Sequence, residues 1–147
     1  VPMDFAEVVR SAIVRARRRG PNLNFDVELT PLYLEGEPDT LERAVTNLLD
    51  NALEASRRAI TVTLSRDGDD VLATVSDDGP GFSPEVLESL GRPYVSTKGR
   101  PGAGLGLFLV SNVVRKLGGT LEARNAGDGG GTTVVLRLPS ASIGKGQ

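Results

Sequence analysis

Apolar residues recur at helical spacing in several stretches of the chain, each bounded by residues that begin or end helices. The strongest pattern follows Asp39, the predicted N-cap, and repeats at i, i+3, i+4 and i+7 as far as Leu53. The first helix has Asp4 as its predicted N-cap and stops at Gly20-Pro21. The predicted helices cover residues 4 to 19, 39 to 53, 84 to 90 and 105 to 117, the last ending at Gly118-Gly119.

Strict alternation of apolar and polar residues predicts strands between these helices. The predicted strands are residues 23 to 29, 32 to 34, 60 to 64, 71 to 75, 120 to 124 and 132 to 138. The middle two and the last two each form an antiparallel hairpin. The order of elements predicts an α/β (α+β) two-layer sandwich, a mixed and mostly antiparallel sheet covered on one face by helices. The tail from 140 to 147 is polar.

Composition narrows the possible chemistry. The 147 residues include no Cys and no His, which excludes disulfides, Cys- or His-ligated metals and a Ser-His-Asp triad within this chain. A metal held here is therefore a hard ion bound by oxygens, such as Mg²⁺. The net charge of −2 argues against a general nucleic-acid binder. No apolar run approaches the roughly 18 residues of a membrane span.

Two amides stand four residues apart on the strongest predicted helix. Asn47 and Asn51 are neighbours on one face, at the edge of the apolar stripe, where polar groups can line a cleft. A pair of ordinary helix-surface asparagines explains the same spacing. Asn is nevertheless a mediocre helix former, so two in a strong helix suggest a function.

Two Gly-rich segments add to this pair. Asp77 to Gly81 ends a predicted strand, where a fixed carboxylate can accept a hydrogen bond from an exocyclic amine; an ordinary turn has the same composition. Lys98 to Gly106 opens directly into a helix, whose free N–H groups and added cations suit an anion. It is neither a P-loop nor a dinucleotide fingerprint, and alone it is weak evidence.

Together and in this order, the segments resemble the catalytic domain of sensor histidine kinases. Asn47 to Ala52 is similar to the N box, Asp77 to Phe82 to the first glycine box, and Gly102 to Leu107 to the second. Pro93 to Lys98 resembles the phenylalanine box, and Gly131-Thr132-Thr133 the closing Gly-Thr. The resemblance spans about residues 21 to 139 and implies the Bergerat-type ATP-binding fold.

The resemblance implies a nucleotide site. Asp77 would bind the adenine amine, Thr132 would support the base through water, and Asn51 would ligate Mg²⁺ directly. Asn47 would lie near the phosphates and, with Asn51 and Lys98, serve catalysis. The ATP lid would run from about Ser83 to Gly102. The remaining residues implied to line the nucleotide are Gly79, Gly81, Tyr94, Thr97, Gly102, Gly104, Leu105, Gly106 and Leu107.

The same resemblance implies an ATP-dependent protein-histidine kinase. In related ATPases the position of Asn47 is usually a glutamate that activates water; an amide has no basic lone pair, so slow hydrolysis is expected. The γ-phosphoryl would go to a histidine on a separate dimerisation domain, then to a response regulator. Residues 1 to 20 would be a helix or linker from that domain. The parent would be a homodimer, membrane-anchored, with this domain in the cytoplasm.

Some features depart from the family pattern or leave alternatives open. Glu54 stands where a basic residue is common, and Arg57 or Arg58 would have to compensate for it; Tyr94 replaces the usual Phe. An anti-sigma serine kinase of the same superfamily needs no histidine, but its lid lacks the Ser-Thr-Lys phrase. A non-enzymatic ATP or ADP sensor is the other alternative. Residues 94 to 112 resemble the RegB-like subfamily.

Overall fold

The computed structural model describes residues 2–55, 58–79, 103–125 and 131–139. The helices are α1 (Phe5–Arg19), α2 (Pro38–Ala55) and α3 (Ala103–Lys116); the strands are β1 (Pro2–Asp4), β2 (Asn24–Leu29), β3 (Tyr33–Glu35), β4 (Ala59–Asp67), β5 (Asp70–Asp77), β6 (Thr120–Asn125) and β7 (Thr132–Pro139). Within this described part, no helix is long and apolar enough to cross a bilayer. The predicted helix at 84 to 90 and the tail at 140 to 147 lie outside it.

Five strands form the main sheet, in the order β2-β4-β5-β7-β6. Strands β2 and β4 are parallel, because α2 lies between them in the chain and acts as a crossover. The other neighbours are antiparallel, and β4–β5 and β6–β7 are the two predicted hairpins. The predicted fold class, a mixed and mostly antiparallel sheet, is therefore confirmed.

One face of the sheet is covered by the helices. Every second residue is buried from 60 to 64 on β4 and from 71 to 75 on β5, and cross-strand partners such as Val62 and Val75 share the buried face. The stripe of α2 that includes Leu41, Leu48 and Leu49 is at most 2% exposed and belongs to the same core. Alternation with period two on the strands and helical spacing on α2 thus define one interface.

Helix α1 is tied to this core at its beginning. The Asp4 carboxylate oxygen Oδ1 accepts the N–H of Ala6 at 3.0 Å, as the predicted N-cap, and also the N–H of Leu32 at 3.1 Å. Ion pairs from Arg15 to Glu42, at 2.9 Å, and from Arg19 to Asp50 link α1 to α2. Strand β1 was not predicted, because three residues are too few to show alternation. That residues 1 to 20 belong to a linker stays a prediction.

The ends of α2 and α3 show how well local signals mark boundaries. The prediction that Asp39 caps α2 is wrong: α2 begins at Pro38, and the Glu37 carbonyl accepts the Leu41 N–H at 3.0 Å. Proline fits the first helical position because its φ is preset and its missing N–H needs no partner.

The predicted stop of α3 at Gly118-Gly119 is confirmed. Gly118 has φ of 82°, and Gly119 N–H reaches the Val114 carbonyl at 2.8 Å.

Candidate nucleotide-binding site

The centre of the candidate site is a pair of residues on adjacent strands. Asp77, the last residue of β5, lies directly opposite Thr132, the first residue of β7. Both continue the buried face, since the preceding pair, Val75 and Val134, belongs to the core. Thr132 is 3% exposed and Asp77 is half-buried. A carboxylate and a hydroxyl thus meet at the end of the sheet, on the side that carries the helices.

Gly131 lets β7 pass close to Asp77. A Cβ atom added at Gly131 would collide with the Asp77 carbonyl oxygen and crowd Asp78, and Gly131 has φ of 121°, in a region that other residues rarely adopt. The Gly-Thr pair resembling the family's closing motif therefore has a steric reason. Only glycine allows Thr132 to begin its strand against Asp77.

The turn after β5 holds two aspartates in different ways. Asp77 Oδ1 accepts the N–H of Gly79 at 2.9 Å, which orients the carboxylate at the strand end. Asp78 turns to the loop after α2, where its carboxylate accepts the N–H groups of Arg58, at 3.0 Å, and Ala59, at 3.2 Å. Asp78 therefore ties the start of β4 to the end of β5. Sequence reasoning assigned Asp78 no separate role, since nothing in a turn-rich segment indicates its partner.

Asn47 and Asn51 lie where the helical spacing predicted. Both are half-buried, beside the buried residues Leu48 and Ala52. The Asn51 amide nitrogen Nδ2 donates to the backbone oxygen of Asn47 at 2.9 Å. An amide ligates a cation only through its oxygen, and this hydrogen bond uses the nitrogen and not the oxygen of Asn51. Helix α2 packs against β5, so its amides and the Asp77 carboxylate belong to neighbouring elements.

Glu54, which departs from the family pattern, lies near the end of α2. Glu54 is exposed on α2, and Arg58 is exposed in the loop that follows, where its backbone N–H bonds to Asp78. Arg57 lies outside the described residues. That an arginine compensates for Glu54 stays a prediction.

The predicted site glycines that the structure describes at 104 and 106 lie at the beginning of α3. Gly104, Leu105, Gly106 and Leu107 lie in the first turns of α3, which begins at Ala103, two residues before the predicted start. The Gly-rich segment therefore opens into a helix, as predicted. The predicted site residues Gly81, Tyr94, Thr97, Lys98 and Gly102, and the lid from 83 to 102, lie outside the described residues.

The described donor set fits a magnesium ion shared with a nucleotide. Among residues 2–55, 58–79, 103–125 and 131–139, no group of three or more His, Cys, Asp or Glu could hold a metal alone. An amide oxygen such as that of Asn51 is a hard ligand, and Mg²⁺ takes few protein ligands where phosphates supply the others. These residues match a cation that arrives with a triphosphate.

Comparison with known proteins agrees with this arrangement. Residues 36–142 match the family described as histidine kinase-, DNA gyrase B- and HSP90-like ATPase, and the chain belongs to that family. A "Signal transduction histidine-protein kinase/phosphatase MprB" from Mycolicibacterium paratuberculosis is 40% identical over 97% of this chain and 29% of its own length. "Sensor histidine kinase CpxA" of Escherichia coli K12 is 35% identical over 92% of this chain and 30% of its own.

Solved structures lead to the same assignment. A structure titled "Mycobacterial sensor histidine kinase MprB" superposes with a TM-score of 0.85 at 32% identity, covering 96% of this chain and 99% of that one. Within the family, this chain is an ATP-binding catalytic domain of the sensor histidine kinase type. The anti-sigma and non-enzymatic alternatives are not favoured. The RegB-like subfamily is not confirmed, since these relatives are MprB and CpxA.

Proposed function

We propose that this domain binds ATP with Mg²⁺ and transfers the γ-phosphoryl group to a histidine on a separate dimerisation domain of the same kinase. The chain spans 29% of the length of its MprB relative, so the acceptor belongs to the remainder of the parent protein. The observation that carries the proposal is the meeting of Asp77 and Thr132 across β5 and β7, on the face that α2 covers.

The adenine end of the site is the Asp77–Thr132 pair. A carboxylate at the edge of an apolar core accepts the exocyclic amine of adenine in a partly desolvated setting, where hydrogen bonds are strong. The core residues Ile60 and Val75 beside Asp77 are at most 4% exposed and give the base an apolar wall. Thr132 supports the base through a bridging water. Gly79 and Gly81 allow the backbone to pass close to the ring.

The phosphate end lies between α2 and the start of α3. Asn51 holds Mg²⁺ through its amide oxygen, and Asn47 lies near the phosphates. The first N–H groups of α3, with Gly102, Gly104 and Gly106, bind phosphate oxygens, as helix N-termini do. Tyr94, Thr97 and Lys98 belong to the lid. When bound, Mg²⁺ neutralises charge on the phosphates.

The chemistry is in-line phosphoryl transfer. A ring nitrogen of the acceptor histidine attacks the γ-phosphorus, and the bond to the β–γ bridging oxygen breaks, so that ADP leaves. The site itself supplies positioning and charge, not a general base. Because Asn47 is an amide, water is a poor competitor for the phosphoryl group, and ATP hydrolysis by the isolated domain is slow.

The proposal extends to the parent protein. The phosphoryl group passes from the histidine to an aspartate on a response regulator. The parent acts as a homodimer, because the acceptor histidines lie on a dimerisation domain. It is anchored in a membrane, with this domain on the cytoplasmic side.

Calorimetric titration with ATP, with and without Mg²⁺, tests the phosphate end. Asn51→Ala is expected to bind ATP in Mg²⁺ no more tightly than the unchanged chain does in chelator. Asn22→Ala, in the exposed turn before β2, is the matched control and keeps the full magnesium effect. An unchanged magnesium effect in Asn51→Ala would show that the metal is held elsewhere.

Transfer is measured with γ-labelled ATP and a separately purified histidine-bearing dimerisation domain. Label on that histidine, stable in base and lost in acid, supports the kinase function. Tight, magnesium-dependent binding without any transfer would contradict it.

A further inference from the structure

A single row of residues crosses all five strands at the site end of the sheet. The register places Phe25, Ile60, Asp77, Thr132 and Asn125 side by side on β2, β4, β5, β7 and β6. Phe25 and Ile60 contribute to the apolar core, Thr132 is buried, and Asn125 is exposed at the edge. The row therefore changes from apolar to polar at Asp77, and Asn125 is its outermost polar member.

Asn125 determines how the Thr132 hydroxyl is used. Thr132 Oγ1 donates to the side-chain oxygen Oδ1 of Asn125 at 3.2 Å. A hydroxyl group has one proton and two lone pairs. With the proton directed towards Asn125, Thr132 offers only lone pairs to the site. The Asp77 carboxylate beside it is also an acceptor, so the two neighbours present acceptors alone.

An acceptor-only pair distinguishes between purines. Adenine carries an amine at position 6, which donates, and an unprotonated nitrogen at position 1. Guanine and hypoxanthine carry a carbonyl at position 6 and a proton on nitrogen 1. A water molecule that donates one proton to Thr132 can donate its other proton to the unprotonated nitrogen 1 of adenine. In the 6-oxopurines nitrogen 1 carries a proton of its own, so the same water would direct its proton against another proton.

We propose that Asn125 is a specificity-determining residue that fixes the Thr132 hydroxyl as an acceptor and so favours adenine over 6-oxopurines. The inference rests on the adenine role of Asp77 and Thr132 proposed above. Asn125 acts through Thr132 and does not itself touch the base. Its effect is therefore expected on the ratio of affinities for two nucleotides rather than on folding.

The test compares ATP with inosine triphosphate, which has a carbonyl in place of the amine and lacks the extra amine of guanine. Affinities of the 147-residue chain are measured by calorimetry in Mg²⁺. Asn125→Leu removes the acceptor and frees the hydroxyl to donate into the site. The preference for ATP is expected to fall about three- to tenfold, the effect of one neutral hydrogen bond. Asn125→Asp keeps an acceptor and keeps the preference.

A double variant separates this role from a structural one. In the Thr132→Val background, where no hydroxyl remains to orient, Asn125→Leu is expected to leave the preference unchanged. An unaltered ATP preference in Asn125→Leu, or an equal loss in both backgrounds, overturns the inference while the proposed function stands. Failure of the unchanged chain to bind ATP at all overturns the proposed function, and this inference with it.

Discussion

Strand β5 begins and ends with an aspartate, and the two carboxylates have different surroundings. Asp70, at the beginning, bonds at 2.8 Å to the guanidinium of Arg137, which also reaches Asp67 at 3.2 Å. Asp77, at the end, accepts the Gly79 N–H and lies beside buried Thr132. Both residues are half-buried, but one carboxylate belongs to an ion-pair network and the other to the candidate nucleotide site.

The length of the strand explains the difference. Side chains alternate between the two faces, so the first and last residues of an eight-residue strand point to opposite sides of the sheet. Asp77 falls in the same set as Val71, Ala73 and Val75, on the face covered by helices. Asp70 falls on the other face. Both turns are built from Asp and Gly, and only the position of each aspartate relative to the apolar alternation separates the two ends of the strand.

The largest expected contrast is between the glycines of the two ends. Gly68, in the β4–β5 turn, has φ of 61° and no atom within 4 Å of an added Cβ, whereas a Cβ at Gly131 would strike the Asp77 backbone. Gly68→Ala is expected to cost about 1–2 kcal/mol, the strain of a left-handed residue. Gly131→Ala adds a steric clash and is expected to cost about 3 kcal/mol or more.

Urea unfolding followed by circular dichroism measures both free energies of unfolding. Without urea, where both variants are folded, Gly68→Ala is expected to bind ATP and Gly131→Ala is expected not to bind it. Equal costs for the two substitutions would mean that β7 can move away from Asp77 without penalty.

Exchanging each aspartate for asparagine gives the next contrast. Asp77→Asn removes a charge-assisted hydrogen bond to the adenine amine and is expected to weaken ATP binding about 10- to 100-fold. Asp70→Asn, at the other end of the same strand, is expected to leave the affinity within about twofold, since seven residue-to-residue steps along the strand separate the two by roughly 23 Å. Calorimetry with MgATP measures both. Retained affinity in Asp77→Asn would remove Asp77 from the adenine site.

The elements of the fold were largely predictable, because burial requires a repeat that the sequence displays. The stripe of α2 and the alternation in β4 and β5 placed these elements within two residues of their observed starts, and the two hairpins followed from their order. Strand β1 was not predicted, because three residues are too few to show an apolar–polar alternation. The start of α2 was misjudged because an acidic residue suits both an N-cap and a first turn, and Pro38 decides between them.

The site was predictable only as far as residue identity. Asp77, Thr132, Asn47 and Asn51 stand out by type and order along the chain. Which of these residues lie next to one another in the fold cannot be recognised in this way, because the register of the strands determines it. That Asn125 lies opposite Thr132, or that Asp78 bonds to the N–H groups of Arg58 and Ala59, depends on how strands and loops pair, and composition does not determine that pairing.

The smallest expected effect concerns the network around Arg137. Hydrogen bonds to Asp70, and secondarily to Asp67, raise the pKa of the Arg137 guanidinium above its ordinary value. A raised pKa in a cationic group means that folding favours the charged form. That stability is complete below the ordinary arginine pKa and is lost only as the pH rises through the higher folded value. No loss from Arg137 itself is therefore expected between pH 5 and 9.

Arg137→Gln is expected to lower the melting temperature by no more than a few degrees at low salt and by almost nothing in about 1 M NaCl, because exposed ion pairs are screened. ATP affinity is expected to stay unchanged, since Arg137 lies on β7 opposite Leu72, near the beginning of β5, whereas Asp77 is the last residue of β5. The matched control is Arg66→Gln on β4, next to Asp67; Arg66 is exposed and makes no ion pair with the described residues. A salt-independent loss in Arg137→Gln would show that its aliphatic stem, packed across Leu72 on β5, stabilises the open face instead.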